Sequence, residues 1–121
     1  MRRLPGVVHP DAVFRSPVAF AAYHTAPALV LAISTVIQVF EDFAYHRELA
    51  SDDGLNVVLE FSARVGDKKV KGIDFIQFDT QGRIVEFEVM IRPLSGLQAL
   101  AAEMGARIGQ QIPAFKNKTA D

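Results

Sequence analysis

The 121-residue chain contains no cysteine. Disulfides, thiolate metal sites and thiol nucleophiles are therefore excluded, and the composition fits a reducing compartment. A strong charge of either sign is lacking too. Thirteen Lys and Arg face 14 Asp and Glu, for a net charge of −1, so no global field favours nucleic acid or an anionic membrane. The one basic cluster, Lys68, Lys69 and Lys71, surrounds an expected hairpin turn and reads as solvated. The three histidines, His9, His24 and His46, show no i, i+4 or H-x-H spacing, and structural zinc takes four ligands; no metal site is expected. G-x-S-x-G elbows, phosphate-binding glycine loops and dinucleotide fingerprints are also missing, so no nucleotide cofactor, nor any other, is expected.

Long hydrophobic runs are absent as well. The start, MRRLPGVVHPD, carries positive charge, but Pro5, His9, Pro10 and Asp11 leave no room for the roughly 7–15 apolar residues of a signal peptide. No export signal is expected, and the location that follows is cytoplasmic. Residues 16–40 bear no formal charge, yet Tyr23, His24, Thr25 and Pro27 interrupt them. The remainder, ALVLAISTVIQVF, falls short of the about 20 residues a membrane span needs and suits a helix buried in protein.

What is present is a chain that is half hydrophobic, enough for one core. We expect one domain over residues 1–108 and a loosely ordered tail over 109–121, in which Ile112 and Phe115 could still dock. DAVFRSPV predicts a short strand ended by Pro17. Thr25 and Pro27 mark a helix start, with Leu29, Ile33, Val36, Ile37 and Phe40 as its stripe to about Asp42. Four strands then follow, separated by SDDG, GDKK and DTQG, turns short enough to force an antiparallel meander. SGLQALAAEMGARI predicts a last helix with Ser95 as N-cap and Leu97, Leu100, Met104 and Ile108 facing the core.

Within GIDFIQFD, Asp74 shares a strand face with Ile76 and Phe78. A DTQG hairpin pairs Phe78 near Arg83 and places Asp74 near Phe87, so that Val85, Phe87, Val89 and Ile91 join the same face. The preceding hairpin adds Val57, Leu59, Phe61 and Ala63. Asp74 is the odd acid on an apolar surface. Desolvation there raises a carboxyl's pKa, and a perturbed acid in a cavity is a candidate functional group. The plainer alternative is a buried acid bonded to the protein's own groups. His46 faces the same side if SDDG makes a four-residue loop, and a one-residue slip turns it outward. Tyr23 and Tyr45 are each able to bring a hydroxyl to a pocket.

A helix leading into a bent antiparallel sheet, HPDAVFRSPV before it and GIDFIQFDTQGRIVEFEVMIRP as the last hairpin together resemble the nuclear transport factor 2-like superfamily, in its SnoaL-like and ketosteroid-isomerase-like branch. The resemblance covers roughly residues 7–108 and is one of pattern, most specific in IDFIQFDTQGRI. It implies an α+β fold, a cone-shaped, strongly curved antiparallel sheet with helices on its concave face. It also implies a small apolar ligand in the cone, lined by Phe14, Ser16, Tyr23, His46, Leu59, Phe61, Ile76, Phe78, Phe87 and Val89, with Asp74 as acid or base. A homodimer through an outer face of Ile73, Phe75, Ile84 and Met90 is implied too.

Asp74 falls where ketosteroid isomerases keep a protonated acid, in the handling of which the fold is a known example. Where they keep their catalytic base this chain has Ser16, whose hydroxyl is no general base at neutral pH. Their oxyanion tyrosine comes from a first helix that the 121 residues do not include; the C-terminal helix is expected to cover the concave face in its place, with a covering partner chain or a start upstream of Met1 as the alternatives. The expected function is thus a small-molecule-binding SnoaL-like protein. An isomerase, cyclase, dehydratase or hydrolase acting on a small apolar carbonyl compound is one alternative, and a non-catalytic dimerisation module is another.

Overall fold

Turn chemistry dictates most of the sheet. The computed structural model describes residues 7–108; the expected tail over 109–121, with Ile112 and Phe115, lies outside them. The elements are β1 (Val8–Arg15), β2 (Tyr23–His24), α1 (Ala26–Val39), β3 (Glu41–Ala50), β4 (Asn56–Val65), β5 (Lys68–Phe78), β6 (Ile84–Arg92) and α2 (Leu94–Ile108). Gly66 and Gly82 adopt φ of 59° and 81° in the turns before β5 and β6, a backbone region that glycine enters without steric cost. The four strands β3 to β6 form the expected meander, and the six-strand order is β2-β1-β6-β5-β4-β3. All neighbours are antiparallel except β1 and β6, which run parallel. The sheet is curved, unclosed and mixed, with two helices on its concave side.

The β4–β5 register is regular throughout, from Val65 opposite Lys68 to Asn56 opposite Gln77. It places Leu59 opposite Asp74 and Phe61 opposite Gly72 on the inner face. Gly72 is required there, because a Cβ would collide with the Met90 carbonyl and lie 2.8 Å from the Phe61 ring.

Two β-bulges change the expected faces. In β6 the register shifts between Gln77 and Phe78, so that Phe78 meets Ile84 while Asp74 meets Val89 and Ile76 meets Phe87. Val85 becomes the extra residue, and Ile84 turns inward to 6% exposure. Ile84 therefore does not belong to the outer face with Ile73, Phe75 and Met90. In β3 a second shift falls between Tyr45 and Glu48. Tyr45 takes the place opposite Phe61, and both His46 and Arg47 are left on the outer side.

The bulged β3 segment is anchored on that outer side. His46 Nε2 lies 2.7 Å from Ser62 Oγ. The Arg47 guanidinium donates to both Glu60 oxygens at 2.8 and 2.7 Å, and Lys71 Nζ adds a contact of 3.1 Å. Glu60 is buried. The Arg47 hydrogen bonds foremost, with Lys71, hold its carboxyl well below the usual carboxylate range.

Helix α1 ends at Val39, earlier than Asp42, because Phe40 is extended and its N–H closes on the Val36 carbonyl. Thr25 stands at the N-cap but makes no side-chain capping bond. The buried stripe is Ala28, Leu29, Ala32, Ile33, Thr35 and Val39, with Ile37 left 47% exposed. Ser95 lies inside α2 rather than capping it, since the helix begins at Leu94. That helix packs on β4, β5, β6 and α1, close enough that a Cβ at Gly96 would strike the Val70 side chain. Among the described residues no helix is long and apolar enough to cross a membrane.

Candidate functional site

The two helices and the sheet do not close completely on each other. Between them lies a partly open cavity of about 790 Å³, within the range of roughly 300–1,000 Å³ typical of small-molecule sites. The concave strands contribute Phe14, Phe61, Asp74, Ile76, Phe87 and Val89. Helix α1 supplies Ala32, Ile33, Val36 and Ile37, and α2 supplies Leu100, Ala101, Met104, Gly105 and Ile108. The C-terminal helix thus forms one wall of the concave side. Residues 16–18, just beyond β1, complete the lining.

The sequence-derived candidates divide accordingly. Phe14, Ser16, Tyr23, Phe61, Asp74, Ile76, Phe87 and Val89 all line the cavity. Leu59 and Phe78 are half-buried and pack against the core instead. His46 does not reach the cavity, because the β3 bulge turns its ring toward Ser62 on the outer face. Straight extrapolation from the β3–β4 loop would have set it opposite Phe61, which is Tyr45's place.

An aromatic wall was not foreseen. Phe43 stacks on Phe61 with centroids 5.2 Å apart and meets Tyr45 edge-on at 4.8 Å. Phe40 packs on Phe61 at 5.5 Å. All four rings line the cavity, and Phe43 and Tyr45 are 42% and 54% exposed at its rim. The only sequence signal for this wall is the spacing of Phe40, Phe43 and Tyr45, which a regular strand would place on mixed faces. Asp42, with φ of 54°, and the register shift between Glu41 and Ala44 bring them together.

Among the described residues Asp74 is the single charged side chain in the lining. It is 9% exposed and has no hydrogen bond or ion pair among the described residues. Burial in apolar surroundings pushes its pKa from 3.8 up to about 7. The Tyr45 phenol is raised above its ordinary value by its own burial first, then by the charges of Asp74 and Glu48. A carboxyl balanced near neutrality can donate a hydrogen bond when protonated or accept a proton when ionised. Ser16 Oγ accepts the Val18 N–H at 3.0 Å. No cluster of His, Asp or Glu among the described residues is arranged to hold a metal ion.

Comparison with solved structures places this arrangement among known proteins. The chain is similar to a steroid delta-isomerase from Pseudomonas aeruginosa, with 62% identity and a TM-score of 0.86 over 90% of this chain and 80% of that one. It is 27% identical, with a TM-score of 0.85, to an uncharacterized protein with a cystatin-like fold from Silicibacter pomeroyi, over 94% and 81% of the two chains. A candidate SnoaL-like polyketide cyclase from Jannaschia shares the fold, at 12% identity and a TM-score of 0.65 over 80% and 75%. No protein-family model and no curated protein matches the chain.

Proposed function

Since the chain belongs to the nuclear transport factor 2-like superfamily, in its SnoaL-like and ketosteroid-isomerase-like branch, we propose that it binds a small, largely apolar molecule through a carbonyl or similar acceptor held by Asp74. The observation that carries this reading is a buried carboxyl that has no protein partner among the described residues, in a mostly apolar cavity. A protonated Asp74 donates to an acceptor oxygen and leaves the rest of the ligand to the apolar walls. Binding of such a ligand weakens as pH rises through about 7, because the ionised carboxylate has no hydrogen to give.

The binding test is Asp74→Leu, which keeps the side chain's bulk and removes its polarity. Calorimetric titration with a small cyclic ketone should show binding to the wild type and a loss of about tenfold or more in the variant, the factor one unpaired hydrogen bond commands. Equal affinities would discard Asp74 as the contact.

A second reading is favoured by the similarity to a protein named as a steroid delta-isomerase. Here Asp74 acts as acid and base in turn, moving a proton within a small carbonyl compound. The described lining holds no second carboxyl, so one residue would have to take the proton and return it. Conversion of a β,γ-unsaturated ketone to its conjugated isomer, followed by ultraviolet absorbance and lost in Asp74→Asn, would establish it.

The outer face supports a homodimer. Phe75 and Met90 are 40% and 46% exposed on it and sit beside Ile73 on neighbouring strands. Phe75→Glu is expected to give monomers in sedimentation without loss of the fold, and an unchanged dimer would move the interface elsewhere. We place the protein in the cytoplasm on its lack of cysteine.

A further inference from the structure

The outer face of the sheet carries a second concavity, on the side away from the helices. Strands β3 to β6 leave an open groove of about 380 Å³ there. Its side chains are Arg47 from β3, Glu60 from β4, Lys71 and Ile73 from β5, and Met90 and Arg92 from β6.

The charges of this groove do not balance. Three cations meet one carboxylate, which leaves two positive charges in excess. The buried Glu60 is already engaged, with Arg47 on both of its oxygens and Lys71 Nζ at 3.1 Å. Arg92 has no ion pair among the described residues. Glu41 and Asp42, at the start of β3, are held by Arg64. Glu88, the nearest acid on β6, is four residues from Arg92, about 13 Å along the strand.

Lys71 and Arg92 also stand directly opposite each other in the β5–β6 ladder, a place that sets two Cβ atoms about 5 Å apart. Like charges in such a pair are destabilising. Glu60 answers Lys71 by contact and leaves Arg92 without an acid of its own. The Arg92 guanidinium keeps its whole fork of donors, and Lys71 keeps N–H groups beyond the one aimed at Glu60. Two residues along the same strands, Ile73 and Met90 form the next outward-facing pair, and Met90 is 46% exposed. The groove therefore joins two converging cations to an apolar floor.

We propose that this groove is a second ligand site, for a small phosphomonoester whose phosphate is held by Arg92 and Lys71 and whose organic group lies on Ile73 and Met90. A phosphomonoester carries about two negative charges near neutral pH, which matches the excess. Its oxygens suit the planar guanidinium fork. Binding would turn a repulsive pair of neighbours into two donors on one anion. The site is independent of the Asp74 cavity, which opens on the other face of the sheet.

Calorimetric titration with phenyl phosphate and with inorganic phosphate, at ionic strength held constant with sodium chloride, tests it. The wild type should bind phenyl phosphate, and should bind it about fivefold or more tightly than inorganic phosphate. Arg92→Gln should weaken phenyl phosphate about tenfold or more. Lys69→Gln removes the same charge from β5 outside the groove and should change affinity by less than about twofold. Phe75→Glu should leave binding in place, because one chain supplies the whole groove. Arg92 is exposed and supports no buried partner, so its replacement does not put folding at stake. No binding of phenyl phosphate would overturn the proposal, and so would equal losses in Arg92→Gln and Lys69→Gln, which would mean diffuse surface charge. Inorganic phosphate bound as tightly as phenyl phosphate would overturn the ester reading and assign the groove to the free ion. Loss of binding in Phe75→Glu would overturn a site built from a single chain.

Discussion

Truncating Phe61 to alanine is expected to cost the fold about 3–5 kcal/mol, the usual range for removing a buried aromatic ring. Phe61 is 1% exposed and lies beneath the rings of Phe40 and Phe43. Its own ring occupies the space that Gly72 leaves on the neighbouring strand. Alanine would therefore remove ring contacts from two sides at once and leave Gly72 facing a void. Part of the loss is moderated because one side of the ring already borders the cavity, which puts the lower half of the range foremost. Urea unfolding monitored by circular dichroism measures it. A change below about 1 kcal/mol would mean that Phe40 and Phe43 collapse into the vacated space, and that the wall is adaptable rather than fixed.

Asp74→Asn should give the second large effect, and one that depends on pH. Below the unfolded-state pKa near 3.8 the folded and unfolded chains both hold the proton, and the buried acid carries no charge penalty. Between about 4 and about 7 the unfolded chain has lost that proton while the folded one retains it, so wild-type stability falls as pH rises. Above about 7 both states are ionised and the loss is complete. At roughly 1.4 kcal/mol per pKa unit the whole change is at most about 4 kcal/mol, less whatever water reaching the carboxylate from the open side restores. Asparagine cannot ionise, so the variant should match the wild type near pH 4 and exceed it at pH 8. Denaturant titrations of both proteins across this range decide it. Parallel curves would show that Asp74 is ionised in the folded protein at ordinary acid pH, contrary to its desolvation.

Much of this architecture was legible from residue pattern. The turns SDDG, GDKK and DTQG required the meander, and the two-residue GD connection kept β4 and β5 in one register over their whole length. That regularity is why residue alternation alone assigns Phe61, Asp74 and Ile76 to one inner face. The failures concentrate where a strand gains one residue. Val85 and the His46–Arg47 pair look like ordinary strand residues in the sequence, because a bulge is decided by what the neighbouring strand offers. For His46 and Arg47 the offer is Ser62 and Glu60; for Ile84 it is a place within the buried core cluster. The aromatic wall was hidden for the same reason. The contribution of α2 to the cavity was anticipated from its stripe, whereas the parallel pairing of β1 with β6 has no local signature, since it joins segments some 70 residues apart.

The outermost strand carries one more consequence. All ten residues of β3 are exposed, including Phe43, Tyr45 and Leu49, and a flat strand of that kind would be a template on which copies of the chain could polymerise. The two irregularities in β3 break its outer hydrogen-bonding row into short, misaligned pieces. The distortion that sets the aromatic wall thus also protects the protein against fibre growth. A deletion that straightened β3 would alter ligand selection and colloidal behaviour together, so variants screened for a reshaped pocket should be checked for turbidity before their binding is interpreted.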